Sequence, residues 1–166
     1  MHMRFRAKVV VGCLLAVVGL TGFSISTPMS FPKGKQAVAT QARLVVTHAT
    51  IKARQSSRFY DLSEAVVDSL KNQPGVLAYS VRRQVFGNQA WTLTLWEGES
   101  GTSAFVNNTA HAKAMASVNE VLDCARFLRV NWSGPVKDLR WEDVLARMEQ
   151  ESTAYSFNST AACDRP

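Results

Sequence analysis

Two neighbouring segments, Val76–Val85 and Trp91–Trp96, set the terms for any fold of this chain. They read as strands joined by the turn-like Phe86-Gly87-Asn88-Gln89. Side chains alternate between the faces of a strand. Here Leu77, Tyr79 and Val81 fall on one face and Val76 and Ala78 on the other, so both faces are apolar. Such strands need cover on two sides. Helices can supply one cover, and the expectation for the other is a partner sheet.

The flanking segments give those strands a context. Leu44–Ile51, LVVTHATI, is rich in β-branched residues and reads as a first strand. Phe59, Leu62, Val66 and Leu70 recur at helical spacing, with Ser57 as a candidate cap, and Asn72-Gln73-Pro74-Gly75 stops that helix. A second helix is expected over Thr102–Asp123 and a last strand over Cys124–Trp132, closed by Ser133-Gly134-Pro135. The order β-α-β-β-α-β defines an α+β, ferredoxin-like domain over residues 43–134. An additional helix over Leu139–Glu149 presents Trp141, Leu145 and Met148 on one face. It belongs to residues 135–151, and the polar tail 152–166 reads as loose.

The start of the chain is different in kind. Arg4, Arg6 and Lys8 precede an uncharged run from Val9 to Ile25, the layout of a secretory signal or a short membrane anchor over residues 1–26. Ser24 and Ser26 offer a cleavage site after Ser26, and retention fits equally well. Residues 27–42, with two prolines and no periodicity, read as a linker. The basic leader directs the domain across the membrane, to the periplasm or the extracellular side. It also explains the formal charge of +6. Without Arg4, Arg6, Lys8, Lys33 and Lys35 the chain holds 14 basic against 13 acidic residues. With no clustered basic face, a nucleic-acid partner is not expected. Cys124 and Cys163 follow the leader, and outside the cytoplasm they invite one disulfide, with two free thiols as the alternative.

Phe59, Pro74-Gly75, the run WTLTLWEGESGTSAF from Trp91 to Phe105, and His111 in AHAKAM together resemble the antibiotic-biosynthesis-monooxygenase (ABM) superfamily. The resemblance covers about Arg43 to Ser133 and rests on the order and spacing of these motifs. It implies a homodimer whose two sheets form an α/β barrel, with a cleft between each sheet and its helices. It also implies a small aromatic or apolar ligand and cofactor-independent monooxygenase chemistry, with a non-catalytic haem or hydrophobe-binding module as the alternative. A haem-degrading member would carry an asparagine on strand one and a tryptophan and an iron-ligating histidine on helix two. Those positions hold His48, Phe105 and, by spacing, Met115, so no cofactor is expected.

The residues themselves offer two proton-handling candidates. His111 shares a helical stripe with Ala104, Met115, Val118 and Leu122, and should face the sheet. The alternative is a core histidine bonded to backbone. His48 alternates with Leu44 and Val46, so it faces either the cleft or the opposite side of the sheet. Trp96, Phe105, Tyr79, Met115 and Trp91 are candidate substrate-binding side chains, with plain core packing as the alternative. No metal-ligating, P-loop or nucleophile-elbow motif is present.

Overall fold

The computed structural model describes residues 23–32, 38–157 and 163. The leader therefore lies outside the described residues, apart from its last few positions. Among the described residues, no helix is long and apolar enough to cross a membrane.

Six antiparallel strands form one sheet in the spatial order β1-β3-β4-β2-β5-β6. They are β1 (Ser24–Ser26), β2 (Val38–Ile51), β3 (Val76–Gln84), β4 (Gln89–Trp96), β5 (Leu122–Pro135) and β6 (Thr153–Ser156). The helices are α1 (Ser56–Leu70), α2 (Glu99–Val106), α3 (Thr109–Ala116), α4 (Val118–Val121) and α5 (Trp141–Glu151). The inner strands β3-β4-β2-β5, with α1 and α2–α4 between them in the chain, have the ferredoxin-like topology.

Several boundaries differ from the sequence reading. β2 begins at Val38, inside the segment read as a linker, and runs against β5 for nearly its full length. Ser24–Ser26 pair with Arg82–Gln84, adding an edge strand where a leader end was read. The tail is not loose at its start: Thr153–Ser156 pair with Cys124–Phe127. The helix expected over 102–123 is three helices. Asn108 interrupts it in an extended conformation and caps α3, its side chain accepting from the Ala110 amide at 2.8 Å. Gly75, at φ +82°, lets the chain turn into β3. An added Cβ there would lie 3.3 Å from the Gly101 backbone, so a side chain would wedge β3 away from α2.

The two sheet faces are covered in different ways. On one face Leu44, Val46, Leu93, Leu95 and Leu128 pack against Trp141, Val144 and Met148 of α5 in a single cluster. On this face, where a partner sheet is expected, the chain's own α5 packs. Ser80 fastens it, accepting from Trp141 Nε1 at 3.0 Å and donating to the Thr27 carbonyl at 2.9 Å. On the other face α1 packs beside α3 and α4. Cys124 and Cys163 are joined by a disulfide with Cα atoms 5.5 Å apart, within the normal range for that bond.

Candidate functional site

The helical face of the sheet encloses a cleft of two connected lobes. Its floor comes from alternate residues of three central strands in register. Thr92, Thr47 and Phe127 form one row, and Ala90, Ala49 and Ala125 the next. Five of these six side chains are small, so α1 and α3 cannot settle onto the sheet without leaving space. Lobe one, about 550 Å³, lies over the alanine row beneath Phe59, Tyr60, Leu62 and Val118. Lobe two, about 590 Å³, runs the other way toward Trp96, Tyr79, Phe105 and α2. Each is of the size that takes a small molecule. Thr47, Thr92, Phe127, His111 and Met115 border both lobes.

His111 stands at this junction because of the break after α2. Val106 is the last residue of that helix, so its carbonyl has no intrahelical partner. It accepts from His111 Nδ1 at 3.2 Å. A carbonyl can only accept, so Nδ1 carries the proton and Nε2 presents a lone pair in the neutral ring. Burial lowers the pKa of His111 below the ordinary histidine value, with the Val106 bond opposing in part. The imidazole is therefore neutral near pH 7. Its ring also lies 5.0 Å from Phe105, which in turn lies 5.1 Å from Trp96. Trp96 Nε1 donates to Thr94 Oγ1 at 2.9 Å, so that buried indole is satisfied within the wall.

Of the residues singled out from sequence, His111, Met115, Phe105, Trp96 and Tyr79 all line the cleft. His48 does not join them. Its neighbours Thr47 and Ala49 point into the cleft, so by strand alternation His48 points to the α5 face. There it is buried and stacked on Trp91, with ring centroids 4.6 Å apart and planes 5° from parallel. Trp91 borders lobe one where its strand passes beneath it, but its ring belongs to that stack. The two histidines are thus on opposite sides of the sheet and cannot act on one substrate. Sequence reasoning missed Tyr60 and the small-residue floor. The signal for the floor was Thr47-x-Ala49 and Ala90-x-Thr92, small residues on one face of strands whose other face is large.

Comparison with solved structures places this architecture. A "putative antibiotic biosynthesis monooxygenase" from Nitrosomonas europaea superposes with a TM-score of 0.50 at 9% identity, covering 59% of this chain and 94% of that one. The fold is ABM-like. A "putative monooxygenase" from Lactobacillus acidophilus NCFM gives a TM-score of 0.52 at 8% identity, over 60% of this chain and 50% of that chain. Another from Fusobacterium nucleatum subsp. nucleatum gives 0.52 at 10% identity, over 60% and 45%. The match thus spans about half the length of those two proteins. No family model and no curated protein matches the sequence. Identities this low establish the ABM-like fold and nothing of its chemistry.

The haem-degrading branch that the resemblance implies would need asparagine on strand one and tryptophan on helix two. His48, at the strand position where that branch carries asparagine, is turned away from the cleft, and Phe105 is packed between Trp96 and His111. No step is derived through haem. Among the described residues there is also no group of three or more His, Cys, Asp or Glu side chains gathered as for a metal.

Proposed function

We propose that the cleft is the active site of an ABM-type monooxygenase acting on a small phenolic, otherwise apolar molecule. One observation carries this reading: a neutral imidazole with Nδ1 held and Nε2 available, set between two largely apolar lobes. Nε2 takes the hydroxyl proton, and the apolar walls keep water from solvating the resulting anion. The anion reacts with dioxygen at a ring carbon. That carbon keeps one oxygen atom as a quinone carbonyl, and the other leaves as water with the two hydrogens the substrate gives up. Dioxygen is the oxidant, and His111 returns its proton to the departing oxygen.

The direct test is oxygen uptake with 1-naphthol, with the product mass read alongside. The expected result is one dioxygen consumed per quinone formed, and a loss of roughly a hundredfold in His111→Ala, the usual scale for removing a general base. Unchanged turnover in that variant would remove the imidazole from the mechanism.

A second reading is a non-catalytic binding module. It is favoured by the same walls, which bring His111 as their only imidazole and otherwise mostly hold and shape a ligand. Tight retention of phenols without oxygen uptake would select it. For either reading we place the protein outside the cytoplasm. The basic, apolar leader supports this, as does the Cys124–Cys163 bond, of a kind common in oxidising compartments and rare in the cytosol. A barrel closed by a second copy of the sheet, as the resemblance implies, would have to displace α5.

A further inference from the structure

Each lobe is lined by two arginines and one glutamate, and the lobes differ in what engages those arginines. Lobe two ends at the rows of Val45–Arg129 and Arg43–Asn131, where two guanidinium groups reach the cleft wall. Arg43 Nη1 donates to Asn131 Oδ1 at 3.0 Å, which fixes its position without neutralising it. Arg129 lies 4.9 Å over the ring of Phe127, a residue shared by both lobes. Among the described residues neither arginine is ion-paired with a carboxylate, and the one acidic side chain on this lobe is Glu99. In lobe one both arginines are engaged by its own walls. Arg83, stacked over Tyr60, faces it together with Glu64, while Arg82 lies in the row of Trp91 and donates to Ser26 Oγ.

We infer that the ligand is an amphipathic acid: an ionisable hydroxyl at His111, an apolar ring body running along lobe two, and a carboxylate or similar anion at Arg43 and Arg129. This deepens the reading of the cleft as a ligand site and rests on it. Strand spacing gives the dimensions. From the Thr47 row, beside His111, the Arg129 row is about 7 Å away and the Arg43 row about 13 Å. A two-ring molecule with hydroxyl and carboxylate at opposite ends fits that span. Guanidinium groups suit this task because their planar donor fork matches a carboxylate. Their place at the partly exposed end of the lobe makes the gain modest and salt-dependent.

Calorimetric titration of the whole protein with 6-hydroxy-2-naphthoate and with 2-naphthol separates the two ideas, since the probes differ only in the carboxylate. The expected result is a preference of about tenfold for the acid at low salt, shrinking as salt is raised. The double variant Arg43→Gln/Arg129→Gln should lose the preference and keep 2-naphthol binding. Arg129→Gln alone, at an exposed position, gives the same direction should the double variant fold poorly. Glu99→Gln should enlarge the preference. Equal binding of both probes to the unsubstituted protein, or a preference that survives the double variant, overturns the anion subsite and leaves the cleft reading standing. Binding of neither probe overturns the cleft as a ligand site altogether.

Discussion

The two faces of one sheet, built from the same strands, are used in opposite ways. Under α5 the inward positions are Leu44, Val46, Leu93, Leu95 and Leu128, all with essentially no exposure, and they pack on Met148 and Val144 in one buried cluster. One residue along each strand, the positions turned to α1 and α3 are Thr47, Ala49, Ala90, Thr92 and Ala125 beside the larger Phe127, and the space they do not fill is the cleft. Both faces are hydrophobic, so apolar content does not separate them. Side-chain volume does. A face of large residues becomes core, and a face of small ones beneath helices held apart by Phe59, Tyr60 and Phe127 becomes a binding site.

Substitutions on each face can break that contrast. The largest effect is expected on the closed side. Met148→Ala should cost about 3 kcal/mol in urea unfolding, because a buried methionine leaves both its transfer energy and a void behind. On the open side, Ala90→Leu should fill part of lobe one. Affinity for 2-naphthol, which has no carboxylate to draw it into lobe two, should fall about tenfold while stability shifts by about 1 kcal/mol or less, since added methylenes enter existing space. A large stability loss there would mean that lobe one is packed core, and the contrast would fail.

The smallest effect concerns pH. Burial holds the folded pKa of His111 below its unfolded value. Between the two values the unfolded chain binds a proton that the folded one does not, so stability rises with pH across that window. The contribution is complete above the ordinary histidine pKa and is lost as pH falls through the folded value. His111→Gln should flatten this slope in unfolding curves taken between mildly acid and neutral pH. If the unsubstituted protein shows no such slope, the ring is solvated and the junction is wetter than described.

Much of this could be read from the chain, and the failures have physical causes. The strand order and α1 were legible because alternation and helical periodicity report burial directly. The break in helix two was not, because Asn107-Asn108 is compatible with a helix interior, and only the tertiary position of α3 makes the cap at Asn108 preferable. That break decides the site, since it frees the Val106 carbonyl to orient His111. His48 was ambiguous for a different reason. With apolar residues on both faces of β2, alternation shows that His48 shares a side with Leu44 and Val46 but not which cover lies on that side. Edge pairing by Ser24–Ser26 and Thr153–Ser156 was hidden because short polar strands carry no period.

The disulfide has a topological meaning beyond its contribution to stability. Cys124 sits at the start of β5 and Cys163 lies beyond β6, so the whole of α5 is threaded on a closed covalent ring. If the helix peels from the sheet it stays tethered, at an effective local concentration set by a short loop. With the bond in place, the segment is held at its far end as well as by β5, which shortens how far the helix can move from that face. An incoming surface would have to outcompete a neighbour that is always within reach.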